Sequence, residues 1–459
     1  MIEWLERRFV LITAIVAVAA TANYYFHPRF QRYLPAPVHS DGRGYFSYLP
    51  ATFIEKDLSF NFLFRQSQIF TSKGGRFPVW FNYPESAYFL SFVKNPERNT
   101  YVLMYGPGEA ILVAPFFLVG HLLTRIFGET PNGWTLFYQL GLSAAAITCL
   151  VGGIYLLQKV LRRYFSVGVT LLTLVCIVFG TNLFNYGTVD GCFNHIYSFF
   201  AFACLIYLVP RWYEDFSWQR TVLLGLVSGL IPLIRLPNAI VLLFIPLYGI
   251  CSWTDLKERL RLFVHHPGRV LVWALTAGLM YLPQVLYWRY ATGRWLYWSY
   301  QGYGFLYYKE PKFFEVLLGV NKGLFFWFPI LLLALAGLLL MRGDARKFQV
   351  PSILYLVLQT YLVSSWATWW YGWTFGHRAF VESQPIFALG LASLFTWAAS
   401  ASRRWLAAVA VVSFAATVLC CVQLWQYWLT ILPPEGVTWP QYKERFLRFD
   451  KSLELHWHH

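Results

Sequence analysis

Polar positions along this chain fall mostly between apolar runs and seldom within them. Eleven such runs stand out, at residues 9–26, 134–158, 167–186, 192–210, 220–236, 238–253, 270–289, 323–341, 350–368, 379–400 and 405–430. Each is close to the ~20 residues that an α-helix needs to cross a bilayer. They lack the two-residue alternation of a membrane β-barrel. The pattern predicts an all-α polytopic membrane protein: a bundle of about 11 transmembrane helices with a long first outer loop carrying amphipathic juxtamembrane helices. The first run follows Arg7 and Arg8 but lacks a small-residue cleavage site, so it reads as a retained helix. The break at Arg235-Leu236-Pro237 predicts two short helices, because proline disfavours helix at the residue before it. A further apolar stretch, "YGPGEAILVAPFFLVGHLL" at 105–123, carries Pro107, Pro115 and His121. It reads as a helix in the outer leaflet that packs on the bundle without crossing.

Composition agrees. The chain is 57% hydrophobic and 13% charged, against about 25% charged in soluble domains. The net charge of +15 gains meaning from its placement. Basic residues mark cytoplasmic loops. With 105–123 not crossing, six clusters share one side: Arg7 and Arg8; Lys159, Arg162 and Arg163; Arg211 and Arg220; Lys257, Arg259, Arg261 and Arg269; Arg342, Arg346 and Lys347; Arg403 and Arg404. That side is read as the cytoplasm of a bacterial inner-membrane protein. The expected divisions are a module at 1–240 with an outer loop at 27–133, a second module at 241–431 with an outer loop at 290–322, and an interfacial tail at 432–459. The seven cysteines lie in or beside apolar runs and form no Cys-x-x-Cys, so neither a disulfide framework nor a zinc site is expected.

The same counting gathers an unusual set on the outer face. The first loop holds Asp41, Arg43, Glu55, Asp57, Lys73 and Arg76. Asp190 and His195 stand in "FNYGTVDGCFNHIYSFF", Arg235 in "LIRLPN", Lys322 at the end of an aromatic loop, and His377 and Arg378 at the end of "WATWWYGWTFGHRAF". Each has a plainer reading beside the functional one. Asp41 suits a helix N-cap. Arg235 suits a snorkelling side chain, and Arg378 suits a pair with Glu382 one turn on. Tryptophan and tyrosine at this level suit an interfacial belt. Asp190 is harder to dismiss, because an ionisable residue between apolar runs tends to be functional or paired.

In order and side, these features resemble the GT-C integral-membrane glycosyltransferases, in particular the protein O-mannosyltransferase and lipid A aminoarabinose transferase branch. The resemblance rests on "SDGRGYFSYLP", "YGPGEAILVAPFFLVGHLL", "NYGTVDG" and the pair "LIRLPN" and "WWYGWTFGHRAF". It implies a sugar moved from a polyprenyl-phosphate donor to an acceptor hydroxyl at the outer face, with inversion and with no metal or cofactor. Asp41 takes the place of the family's catalytic acid. Gly42 stands where many relatives have a second acid, which leaves Asp190 as the candidate second carboxylate. The residues expected at the donor phosphate are Arg235 and Arg378, with Lys322 and His377 behind them. Tyr45, Tyr105, Glu109, His195, Trp370 and Tyr371 are expected at the substrate. The partners expected are the lipid-linked donor, a glycan, lipid or protein acceptor, and membrane lipids, with no nucleic acid. A flippase or transporter for lipid-linked sugars remains an alternative, although no internal repeat of the kind such folds carry is evident. So does an O-antigen ligase or polymerase type of enzyme.

Overall fold

The computed structural model of the chain describes residues 1–27, 36–65 and 91–450. Lys73 and Arg76 of the first loop and residues 451–459 of the tail lie outside the described residues. Helices dominate: α1 (Ile2–Phe26), α2 (Gly42–Phe53), α3 (Gly108–Ile126), α4 (Leu136–Tyr164), α5 (Val167–Phe179), α6 (Asn194–Asp215), α7 (Trp218–Ile234), α8 (Trp253–His265), α9 (Pro267–Thr292), α10 (Ile330–Leu339), α11 (Gln349–Ser365), α12 (Gln384–Ala401) and α13 (Arg403–Trp428). Among the described residues, α1, α3, α4, α6, α9, α12 and α13 are long and apolar enough to cross a membrane.

Long-range contacts define two ends. At one, Gln158 donates to Glu6 Oε1 at 3.0 Å, Arg163 pairs with Glu214, and Gly249 donates its backbone N–H to the Lys347 carbonyl at 2.8 Å. Arg259 donates to the Tyr248 carbonyl at 2.7 Å, and Tyr248 and Tyr164 bring their hydroxyls to 3.2 Å. Basic clusters from several predicted connections thus meet at one end of the bundle. At the other end Tyr25 donates to the Val189 carbonyl at 2.5 Å, and Trp428 donates to Asn185 Oδ1 at 2.9 Å. The tail returns here, with Gln423 donating to the Tyr442 hydroxyl at 2.6 Å.

Helix α3 stays at this second end. It begins beside the end of α7, where a Cβ on Gly108 would lie 2.4 Å from the Ile234 nitrogen. It then runs antiparallel along the first half of α4: Gly120 packs on the Phe137 carbonyl and Gly141 on that of Phe116. It finishes with Phe127 stacked on Phe137 at 5.0 Å. Helix α2 lies across it through Phe46 and Phe53, 5.7 and 6.0 Å from Phe117. An apolar segment of spanning length thus packs antiparallel on α4 and beneath α2.

The break after α7 also falls where the sequence put it. Arg235 turns extended (φ −155°, ψ 114°), and a 3₁₀ stretch, Leu236–Leu243, carries the chain back. One element was not expected. Within the first loop, Phe92–Asn95 pairs antiparallel with Thr100–Leu103, with Phe92 opposite Leu103. This short hairpin is fastened to the end of α9, where Thr100 donates to the Ala291 carbonyl at 2.7 Å. The run predicted at 379–400 starts later, at Gln384, because Arg378–Phe380 forms a separate 3₁₀ turn. The run predicted at 323–341 is interrupted at Phe328-Pro329, ahead of α10.

Candidate active site

Asp41 occupies the N-cap position of α2, yet its side chain makes no cap hydrogen bond. Its Oδ2 instead accepts from Arg378 at 2.7 Å. The turn before it is tight. Ser40 is left-handed (φ 46°), and a Cβ on Gly42 would lie 2.5 Å from Cys192 Sγ. Gly42 is thus the residue that lets this turn seat on Cys192. Arg378 lies 4.6 Å from the Phe193 ring centre and is mostly buried.

Arg235, placed by the break after α7, donates to Glu382 Oε1 at 2.7 Å and to the Tyr371 hydroxyl at 2.8 Å. The other carboxylate oxygen of Glu382 lies 2.9 Å from His195 Nδ1. The plainer reading of Arg378 as a partner of Glu382 thus gives way to two crossed pairs, Arg378 with Asp41 and Arg235 with Glu382. Burial alone would raise the Glu382 carboxyl; His195 and Arg235 overcome it and hold the group below its usual range. Tyr371 sits between the two guanidinium groups, 5.2 and 5.8 Å from their centres, in a left-handed conformation (φ 57°).

These groups open into one cavity of about 390 Å³. Asp41, Tyr45, Tyr105, His195, Arg235, Trp370, Tyr371 and Arg378 all line it. The Tyr45 and Tyr105 rings stack at 4.1 Å, and Asn194 donates to the Tyr45 hydroxyl at 2.7 Å. Trp298, Tyr300, Phe305 and Trp366 continue the aromatic wall. Trp370 reaches past the wall to donate to Glu435 in the tail at 2.5 Å.

Four of the expected residues stand elsewhere. Lys322 is buried and donates at 2.5 Å to the Thr374 carbonyl, at 2.9 Å to its hydroxyl and at 2.5 Å to the Pro434 carbonyl. It ties the aromatic loop to the tail and does not line the cavity. His377 is fully buried; burial and nearby Lys322 push it down to about 3, so it carries no charge to offer a phosphate. Glu109 is 1% exposed, and neither carboxyl oxygen has a hydrogen-bond partner among the described residues. Asp190 is also buried: Asn185 donates to its Oδ2 at 2.6 Å, and His39 Nε2 lies 3.2 Å from its Oδ1.

Sequence reasoning missed His39 and Glu382 as members of the site. His39 stood two residues ahead of Asp41, and Glu382 was considered only as a local partner of Arg378. Both nitrogens of His39 face acceptors: Nε2 faces Asp190, and Nδ1 lies 3.2 and 3.1 Å from the Ala36 and Pro37 carbonyls. An imidazole so placed carries both protons. Burial opposes that charge, but Cys192 and Asp190 outweigh it and push His39 up to about 10. A pKa raised by folding stabilises fully below the unfolded value of 6.5, and the contribution is lost as pH climbs towards about 10. Lys322, pushed down to about 7 by burial, works the opposite way in this window. The comparison that isolates His39 is with His39→Gln. The gap in Tm between the two proteins should narrow steadily from pH 6.5 to pH 10, and a constant gap would show a neutral His39.

Among the described residues, no group of three or more His, Cys, Asp or Glu could hold a metal ion. The sequence matches no protein-family model and no curated protein. Three solved structures do match in fold. The apo form of the Archaeoglobus fulgidus oligosaccharyltransferase superposes with a TM-score of 0.50 at 11% identity. The archaeal oligosaccharyltransferase AglB from Archaeoglobus fulgidus, in complex with an inhibitory peptide and a dolichol-phosphate, does so with 0.51 at 12%. An Archaeoglobus fulgidus oligosaccharyltransferase tethered by a disulfide to an acceptor peptide containing the NVT sequon gives the same two values. Each match covers 97% of this chain, but the chain spans only 60% of the neighbour's length. At these identities the likeness is one of fold alone, shared with the neighbours over 97% of this chain.

Proposed function

We propose that this chain is a glycosyltransferase that moves a sugar from a polyprenyl-phosphate donor to an acceptor hydroxyl, with inversion. The observation that carries this reading is a single aromatic-walled cavity into which one carboxylate and two guanidinium groups open. A carboxylate within hydrogen-bond reach of an acceptor hydroxyl can take its proton as the bond to the sugar forms. Departure of the lipid phosphate builds negative charge, and the planar fork of arginine suits phosphate oxygens. Asp41 is the base; Arg235 and Arg378 receive the leaving phosphate. Arg378 and Asp41 neutralise each other at 2.7 Å. A donor phosphate competes for Arg378 and frees Asp41 to face the acceptor. The tyrosines and tryptophans of the wall offer stacking faces to a sugar or an isoprenoid.

The basic end faces the cytoplasm by the usual bias of positive loops, which turns the cavity outward, to the periplasmic face of a bacterial inner membrane. A fold neighbour solved with a dolichol-phosphate supports a lipid phosphate as the class of donor. The direct test is a proteoliposome assay with a panel of radiolabelled polyprenyl-phosphate hexoses and aminopentoses and envelope extracts as acceptors. Label moving to an acceptor, with polyprenyl phosphate released, is the expected result. Label that only changes leaflet on an intact donor would instead identify a flippase.

A further inference from the structure

We infer that His39 and Asp190 form a buried clamp that sets the position of Asp41, so that both are positioning residues of the reaction and neither touches substrate. This rests on the reading of Asp41 as the base. Asp190 is 2% exposed and does not line the cavity. Its oxygens are engaged by Asn185 and by His39, and Asn185 is held in turn by Trp428 of α13. His39 stands two residues before Asp41, with the left-handed Ser40 between them. A serine persists in the left-handed region only where the surrounding structure over-determines it, so the contacts on either side of Ser40 fix the turn. The same short loop is fastened at three further points. The Val38 backbone N–H donates to Gln139 Oε1 at 2.8 Å, the Cys192 thiol donates to the His39 carbonyl at 3.4 Å, and Gly42 seats on Cys192. A continuous path therefore runs from Trp428 through Asn185, Asp190 and His39 to the start of α2. At its far side Arg378 holds the carboxylate from within the cavity.

The ion pair suits this task better than a neutral contact. Acceptor oxygens flank the imidazole on both sides, so a neutral ring would leave one of them facing a lone pair, at a cost of about 1–3 kcal/mol for a buried group. The charged pair fixes the ring in one orientation and, with it, the loop. Position matters because a base must lie within about 2.6–3.2 Å of the proton that it abstracts. A displacement of about 1 Å can cost a hundredfold in rate. Loss of the clamp thus slows chemistry without removing any group that binds the donor.

The test uses the purified full chain with His39→Gln, Asp190→Asn and both together, assayed with the radiolabelled donor panel. Rates are divided by the amount of folded protein, measured from the thermal transition. Each single variant should lose at least about tenfold in kcat, with the donor KM within about threefold of wild type. The double variant should lose no more than the worse single one, since both remove the same pair. Wild-type kcat per folded molecule in either single variant overturns the clamp, whether or not its Tm has fallen. Losses that multiply in the double variant overturn it too. Asp41→Asn is run beside them. If it is inactive while the clamp variants are fully active, the clamp alone fails; if it is fully active, the base reading itself fails.

Discussion

Asp41→Asn should abolish sugar transfer while leaving the chain folded. The substitution keeps the size of the side chain and one oxygen that can accept from Arg378, so the 2.7 Å contact survives. What it removes is the ability to take a proton. General-base catalysis contributes about 10²–10⁴-fold, so kcat should fall by about three orders of magnitude. The donor KM should change far less, because Arg235 and Arg378 remain in place. Initial rates with the radiolabelled donor, divided by the amount of folded protein, are the measurements that decide. Transfer at the wild-type rate would remove Asp41 from the mechanism.

The largest stability effect is expected at Glu382. This carboxylate is fully buried and holds both Arg235, at 2.7 Å, and His195, at 2.9 Å. Glu382→Met leaves the Arg235 guanidinium 10% exposed with no carboxylate against it. Breaking a buried pair from one side costs about 3–5 kcal/mol, whereas replacing both charges with apolar groups is often close to neutral. Glu382→Met should therefore lower Tm sharply, and Arg235→Met added to it should restore most of the loss. The restored double variant should stay inactive, since the phosphate-facing guanidinium is gone. A single variant with the wild-type Tm would show that Glu382 is not the counter-charge of Arg235. Stability and activity are thereby read separately at one pair.

The arrangement explains why Asp190 drew attention in the sequence and yet does not reach the cavity. An acid between apolar runs must be paired or functional, and here it is paired. Glu382 shows instead where proximity in sequence misleads. A residue four positions after Arg378 sits one helical turn away only if the chain between them is α-helical. Here Arg378–Phe380 is a 3₁₀ turn, and Glu382 points to Arg235, 147 residues earlier.

By itself the sequence determined the layers of this protein. Periodic apolar runs specified helices, because a backbone in lipid must satisfy its own hydrogen bonds. A proline specified where α7 stops, because the ring of Pro237 restricts the residue before it. The placement of arginine and lysine specified which loops share an end. All these are local rules, readable within a few residues. Only the tertiary structure decided which charges meet. Asp41 with Arg378, Arg235 with Glu382, and His39 with Asp190 lie 337, 147 and 151 residues apart. Their pairing follows from how helices pack at one end of the bundle, where each buried charge must find its opposite or be excluded. No spacing along the chain encodes that choice.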